Sequence, residues 1–138
     1  MAEVLKDRMV HAFGGCLFPE TVSCHHNYVA EEAYEGQKLI ITRKGAIRVG
    51  AGELGLIPGS MATGSYVARG LGNPASYQSA SHGAGRVMSR TMAKAAFDQQ
   101  DVVDQTAGIE CRKDLGIRDE LPAAYKDLAH VVAAQTSG

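Results

Sequence analysis

Residues 81 to 90 read Ser81-His82-Gly83-Ala84-Gly85-Arg86-Val87-Met88-Ser89-Arg90. A polar strand end leads into a histidine, two glycines enclose an alanine, and a helix is predicted to begin directly afterwards. Backbone N–H groups at a helix start point outward, and the helix dipole adds partial positive charge, so such a segment can bind an anion. Arg86 and Arg90 would share one face of that helix. His82 could then act as a general acid, a metal ligand or a nucleophile toward phosphorus; an ordinary surface histidine in a glycine-rich turn is the simpler interpretation.

The length and composition indicate one domain with a single core. The chain has 138 residues, no apolar run approaches the ~20 residues of a membrane-spanning helix, and nothing resembles a signal peptide. Cys16, Cys24 and Cys111 are irregularly spaced, which argues against a disulfide framework and for a reducing compartment. We therefore expect a single domain over residues 1–138, located in the cytoplasm and without a membrane partner.

Positive charge and glycine are concentrated in the middle of the chain. From Lys38 to Phe97 eight basic residues accompany one acidic residue, Glu53, for a net charge of +7, whereas the rest of the chain carries −8. Ten of the 16 glycines lie between Gly45 and Gly85. Such a segment could attract a polyanion and let the backbone approach a phosphate closely. A solvated basic face balanced by acidic neighbours explains the charge equally simply.

Short predicted strands lie between predicted helices. Helices are expected over residues 4–13, 87–97 and 122–134, and strands over 21–29, 38–43, 65–69, 76–81 and 109–111. The elements do not alternate as they would in a doubly wound fold, so the pattern predicts an α+β fold of mixed short strands with flanking helices.

A second group of reactive side chains is Cys24-His25-His26-Asn27. On an extended strand Cys24 and His26 share one face and His25 points away. A closed zinc site would need two more ligands, which His11, Cys16, His82, Cys111 and His130 offer at no recognisable spacing. A single ligand in a composite catalytic site is the stronger hypothesis, with a plain Cys/His pair as the alternative. Asn27 could hydrogen-bond to a nucleotide phosphate or ribose.

Seven segments together resemble the RtcB family of RNA-splicing ligases, in that family's order and close to its spacing. The similarity runs from about Ser23 to Gln135. The segments read Cys24-His25-His26-Asn27-Tyr28-Val29, Arg43-Lys44-Gly45-Ala46, Ile57-Pro58-Gly59-Ser60-Met61, Gly70-Leu71-Gly72-Asn73, the 81–90 stretch, Glu110-Cys111-Arg112-Lys113-Asp114 and Pro122-Ala123-Ala124-Tyr125-Lys126-Asp127.

The resemblance implies an RtcB-type ligase fold and a GTP- and Mn²⁺-dependent enzyme. The expected reaction joins RNA 3′-phosphate or 2′,3′-cyclic phosphate ends to 5′-hydroxyl ends, in tRNA splicing or RNA repair, through a GMP adduct of His82. RNA, with tRNA as the expected substrate, and GTP are therefore the implied partners.

The resemblance also implies roles for individual residues. His26 matches a metal ligand that borders the nucleotide, and Lys44, Arg43, Arg86 and Arg90 are candidates for phosphate or RNA contacts. The implied nucleotide-binding residues are His26, Asn27, Pro58, Gly59, Ser60, Met61, Ser65, His82, Gly83, Ala84 and Gly85.

The sequence also departs from the family pattern. The family's Asp-x-x-Cys motif and two further metal-binding histidines would lie upstream of Ser23, its guanine-contacting lysine would follow Gly138, and Ala62 replaces a usual glycine. We therefore expect the C-terminal portion of a ligase domain. A split-gene subunit that needs a separate upstream half, and a non-catalytic nucleotide- or RNA-binding remnant, are the alternatives.

Overall fold

The computed structural model describes residues 1–18 and 20–136 and has the expected α+β class. In the described part of the chain, no helix combines the length and the apolar character needed to cross a membrane. The elements are α1 (Ala2–Phe13), β1 (Asn27–Tyr34), β2 (Gln37–Lys44), β3 (Ala46–Arg48), β4 (Leu54–Pro58), β5 (Ser65–Arg69), β6 (Ser79–Ser81), α2 (Arg90–Ala96), α3 (Gln99–Gln105) and α4 (Leu128–Ala133), with short 3-10 turns at Pro74–Ser76, Leu115–Glu120 and Pro122–Ala124.

In the part of the chain that the structure describes, six strands form three antiparallel ribbons of two strands each, β1-β2, β3-β6 and β4-β5. Glu35 and Gly36 join β1 to β2 with positive φ at both positions, as a tight hairpin turn requires. In the β3-β6 ribbon Ala46 lies opposite Ser81. Because Gly45 precedes Ala46 and His82 follows Ser81, this pairing brings Gly45 beside His82.

The core lies between the β4-β5 ribbon and the C-terminal helix. Ile57, Ala84 and Leu128 are buried together, with Ala68, Tyr125 and Val132 packed around them. Ala84 belongs to the glycine-framed segment, so hydrophobic burial anchors that segment directly to the core.

Several predicted elements are confirmed. Strand β5 covers the predicted residues 65–69, β2 extends the predicted 38–43 by one residue at each end, and α1 ends before Gly14, which has a left-handed conformation.

Other predicted boundaries are wrong. The strand expected over 21–29 begins only at Asn27, whose partner Lys44 is the last residue of β2, and it continues to Tyr34. The strand expected over 109–111 is irregular backbone. The helix expected over 122–134 is a 3-10 turn followed by α4, which begins where the Asp127 carboxylate accepts hydrogen bonds from Ala129 N and His130 N.

Helix α3 was not expected from the sequence. Val102 is the buried residue of this helix, so the apolar pattern of α3 in the sequence is weak. The start of α3 depends on a capping box between Asp98 and Asp101.

Candidate functional site

Two histidines from distant parts of the chain meet at the junction of the β1-β2 hairpin and the β3-β6 ribbon. The ring centroids of His26 and His82 lie 5.0 Å apart, with the ring planes at 73°. His26 is exposed and His82 is half-buried, so both rings are accessible to a ligand. The site therefore brings together His26, the predicted metal ligand, and His82, the predicted nucleophile.

The backbone of Gly45 links the two histidines. Gly45 N donates to the His26 carbonyl at 2.9 Å, and His82 N donates to the Gly45 carbonyl at 3.4 Å. Gly45 has a φ of +72°, and a Cβ there would lie 3.3 Å from His82 Cδ2 and 3.4 Å from His82 Nε2. Glycine suits this position because of its backbone conformation and because the imidazole is so close.

The glycine-framed segment packs against the predicted nucleotide-binding turn. Ala84 N donates to the Pro58 carbonyl at 3.0 Å, and a Cβ on Gly83 would lie 2.9 Å from that carbonyl oxygen. Ser65 lies opposite Pro58 in the β4-β5 ribbon. The two predicted nucleotide-binding segments, residues 58–61 and 82–85, are therefore neighbours in space.

The turn after Pro58 has a defined local structure. Gly59 N donates to the Gly64 carbonyl at 2.8 Å, and Ser60 N donates to Thr63 Oγ1 at 2.9 Å. Thr63, for which no role was predicted from the sequence, thus shapes this turn. A Ser-x-x-Thr spacing is the signal that could have identified it.

The helix expected directly after Gly85 is absent, which corrects the predicted anion site. Helix α2 begins at Arg90 because the Ser89 hydroxyl caps it by accepting from Met92 N at 3.2 Å. Arg86 instead forms an isolated β-bridge with Tyr125. Arg86 and Arg90 therefore do not share a helix face, and α2 begins five residues after Gly85 rather than directly after it.

Arg86 and Arg90 converge on one acidic pair. Arg86 donates to Tyr125 Oη at 3.0 Å and to the Asp119 carbonyl, and Arg90 donates to Asp119 Oδ2 at 2.7 Å and to the Glu120 carboxylate. The Arg90 guanidinium lowers the pKa of Asp119. A phosphate at Arg90 would compete with the carboxylates that it already binds, whereas Arg86 is held by a hydroxyl and main-chain carbonyls and lies 3.8 Å from the Glu120 carboxylate.

Arg43 is buried, with a 2% exposed fraction. Its guanidinium donates to both Glu32 carboxylate oxygens, to the hydroxyls of Tyr28 and Tyr34 and, beyond the hairpin, to Tyr77 O and Ser79 Oγ. The hydrogen bond from Arg43 lowers the pKa of Glu32 to about 2, despite burial. We therefore leave Arg43 out of the proposed RNA contacts, whereas Lys44, opposite Asn27, is exposed.

Sequence reasoning missed the partners of Arg43. Tyr28, Glu32 and Tyr34 occupy even-numbered positions of β1 and hence lie on one face of the hairpin. This period-2 spacing is the sequence signal that could have predicted them as partners of Arg43.

A complete manganese site is not assembled by this part of the molecule. Within residues 1–18 and 20–136, no group of three or more His, Cys, Asp or Glu side chains could hold a metal ion. The exposed His26 ring can supply one ligand. Cys24, expected on the same face, directs Sγ toward the Leu54 carbonyl at 4.0 Å.

Comparison with known proteins identifies the family. The family described as "tRNA-splicing ligase RtcB" matches residues 1–138. The chain belongs to the RtcB family of tRNA-splicing ligases. It is 54% identical to the RNA-splicing ligase RtcB of Escherichia coli K12 over 85% of its own length and 29% of that protein. It is also 39% identical to the RNA-splicing ligase RtcB of Mycobacterium tuberculosis (80% of this chain, 23% of the relative) and 37% identical to the tRNA-splicing ligase RtcB of Aeropyrum pernix (77% and 27%).

The chain therefore spans less than a third of the length of these RtcB relatives. Membership of the RtcB family supports an RNA ligase function.

Proposed function

We propose that this chain forms the nucleotidyl-transfer part of an RtcB-type RNA ligase, with His82 as the nucleophile. The observation that carries the proposal is the pair of accessible rings 5.0 Å apart, beside a glycine segment that packs on the 58–61 turn. The substrates are GTP and broken RNA ends, with tRNA as the proposed source.

The proposed reaction has three transfers. An imidazole nitrogen of His82 attacks the α-phosphorus of GTP, a P–N bond forms, and the bond to the pyrophosphate leaving group breaks. The GMP group then passes to the RNA 3′-phosphate, which regenerates the imidazole. The 5′-hydroxyl of the second RNA end attacks that phosphate, releasing GMP and leaving a phosphodiester bond; its proton passes to solvent.

The residues around His82 hold the reactants in this scheme. Gly83, Ala84 and Gly85 lie along the nucleotide phosphates, and the 58–61 turn, with Asn27 and Ser65, contacts the rest of the nucleotide. Manganese ions would offset the phosphate charge, and His26 is the ligand that we assign to this segment. The remaining ligands come from parts of the ligase outside this segment.

RNA binding is assigned to the basic middle segment. Lys44 is exposed beside Asn27, and the 38–97 segment carries a net charge of +7. Arg86 and Arg90 are proposed secondary contacts; at Arg90 the phosphate would have to displace the Asp119 and Glu120 carboxylates.

A binding module without catalysis is the second candidate function. It is favoured by one observation, namely that the described residues contain no cluster of three metal-ligating side chains. Such a module would bind nucleotide or RNA through the same glycine segment and would form no adduct.

A guanylylation assay separates these candidates. The chain is incubated with GTP and Mn²⁺, alone and mixed with the part of the E. coli relative that lies outside the match, and peptides are examined by mass spectrometry. We expect one GMP on His82 in the mixture and none on the chain alone, because the described residues supply too few metal ligands. His82→Ala should abolish the adduct, and His130→Ala, at an exposed histidine of α4, should retain it.

Each other outcome has a definite meaning. An adduct on the chain alone would contradict the incomplete metal site. Retention of the adduct in His82→Ala would move the nucleophile elsewhere, and no adduct in any combination would favour the binding module.

A further inference from the structure

We infer that Arg43 is a positioning residue whose guanidinium holds the hairpin that follows His26 and the strand that precedes His82 in one relative arrangement. The described hydrogen bonds of Arg43 go to residues other than the two histidines, so it acts through the backbone segments that it joins. The effect of Arg43 on catalysis rests on the proposed function of His82. Its effect on the distance between the His26 and His82 rings does not.

The guanidinium contacts two separate parts of the chain. Within the β1-β2 hairpin it binds Glu32, Tyr28 and Tyr34. Outside the hairpin, Arg43 Nη2 donates to the Tyr77 carbonyl at 2.7 Å and Arg43 Nε donates to Ser79 Oγ at 3.0 Å. A buried cation with contacts on both sides acts as a cross-link between them.

Each side of this cross-link leads to one histidine. Arg43 is two residues from Gly45, whose N–H is bound to the carbonyl of His26. Ser79 is the first residue of β6, which ends at Ser81, directly before His82. A shift of residues 77–79 relative to the hairpin would therefore change the distance between the two rings.

A second contact reinforces the same connection. Tyr34 Oη lies 2.8 Å from the Tyr77 carbonyl oxygen and 2.6 Å from Glu32 Oε2, so its one O–H can donate to either acceptor, and the Tyr34 and Tyr77 rings meet edge to face with centroids 5.2 Å apart. Tyr77 has a φ of +50° and turns its carbonyl oxygen toward Arg43 and Tyr34.

Lysine cannot replace arginine in this role. A guanidinium presents five N–H donors in a rigid plane, whereas an ammonium has three donors around one atom. Lysine at position 43 could pair with Glu32 but could not also reach Tyr77 and Ser79 in the same geometry. The hydrophobic group of Ile57, Ala84 and Leu128 does not include Arg43, so Arg43→Lys leaves that part of the core intact.

The first test measures the geometry without any substrate. In the full chain with isotope-labelled histidine, proton NMR should show a nuclear Overhauser cross-peak between the His26 and His82 rings. We expect Arg43→Lys to remove the cross-peak while circular dichroism remains that of the wild type. Lys38→Ala, at the exposed Lys38–Glu31 ion pair of the same hairpin, is the matched control and should keep it.

Ser79→Ala provides a milder second variant, because it removes one acceptor of Arg43 and leaves the Glu32 pair intact. Ser79→Ala should weaken the cross-peak between the His26 and His82 rings. If Arg43→Lys does not fold, the result for Ser79→Ala tests the positioning role of Arg43 by itself. A cross-peak of wild-type intensity in a folded Arg43→Lys or in Ser79→Ala would overturn the inference. Its absence from the wild type, or its loss in Lys38→Ala, would also overturn it.

The second test connects the geometry to the reaction. In the mixture that forms the GMP adduct, Arg43→Lys should slow adduct formation at saturating GTP by roughly 10- to 100-fold, as expected for a misplaced nucleophile, with the KM for GTP unchanged. A rise in KM with an unchanged maximal rate would contradict a positioning role. If no protein forms the adduct but Arg43→Lys still loses the cross-peak, the proposed function fails and the positioning role stands.

Discussion

At the scale of single residues, Gly45 controls how closely the two histidines approach. Its N–H and carbonyl are bound to His26 and His82, and the space that a side chain would occupy lies against the His82 ring. The sequence showed a glycine within a family motif, and the structure supplies the reason for it.

Gly45→Ala is expected to displace the His82 ring. Alanine at a φ of +72° costs about 1–2 kcal/mol of folding stability, and its Cβ would lie 3.3 Å from His82 Cδ2. Gly52→Ala is the matched control, because Gly52 has a φ of +77° and nothing within 4 Å of its Cβ position. Both variants should lose similar stability in denaturant unfolding, but only Gly45→Ala should lose the ring–ring cross-peak. An equal effect of both variants on that cross-peak would contradict this role of Gly45.

At the scale of elements, the β1-β2 hairpin has one partly buried face, in which Arg43 is fully buried, and one solvated face. On the partly buried face Glu32 is held by Arg43, and on the solvated face Glu31 pairs with Lys38 at 2.9 Å. Neighbouring glutamates on opposite faces therefore allow a direct comparison of a buried and an exposed ion pair.

Glu32→Gln should destabilise the chain in a pH-dependent way. The pKa of Glu32 is lowered from 4.5 to about 2, so ionised Glu32 contributes stability that is fully present above about pH 4.5 and is lost as the pH falls toward 2. At pH 7 we expect Glu32→Gln to cost roughly 3 kcal/mol, since it leaves the Arg43 charge buried without its partner. The cost should be smaller at pH 3.

Glu31→Gln is the control for this pH dependence. It removes a solvated ion pair whose side chains are 62% and 80% exposed, so its cost should stay within about 1 kcal/mol. Urea unfolding at pH 7 and pH 3 measures both variants. A cost of Glu32→Gln that does not change between these pH values would show that its carboxylate is not held by Arg43.

At the scale of the whole molecule, much apolar surface is exposed. No residue of α1 is buried, and Phe13 and Leu17 are 72% and 96% exposed. The described strands pair only two by two, so ribbon faces are also open, with Val67 65% exposed. Exposed apolar patches of this kind favour association.

The chain alone is therefore expected to self-associate. Light scattering should give a mass above that of a 14.6 kDa monomer, and mixing with the rest of an RtcB ligase should reduce the self-association. The double variant Phe13→Ser/Leu17→Ser should reduce self-association more than Leu115→Ser does. Leu115→Ser is the control, because it removes an exposed leucine that is distant in sequence from α1. A monodisperse monomer of the unmodified chain would contradict this prediction.

Local signals in the sequence were sufficient for the family, the α+β class, strands β2 and β5 and helix α1. They failed where an element depends on a partner or a cap. Strand β1 begins at Asn27 because Lys44 is the last residue of β2 to pair with it, and α2 begins at Arg90 because of the Ser89 cap. Neither cause is visible in hydrophobic periodicity.

The sequence by itself singled out the side chains that are proposed to carry the chemistry, since His26, His82 and the glycine segment stand in recognisable motifs. Only the tertiary structure decided how they meet, because the 5.0 Å between the rings depends on pairing residues 46–48 with 79–81 and on the backbone of Gly45. It also decided that Arg43 faces the interior. An arginine in a basic segment has the same appearance in sequence whether it contacts phosphate or a buried carboxylate, and burial is a property of the fold.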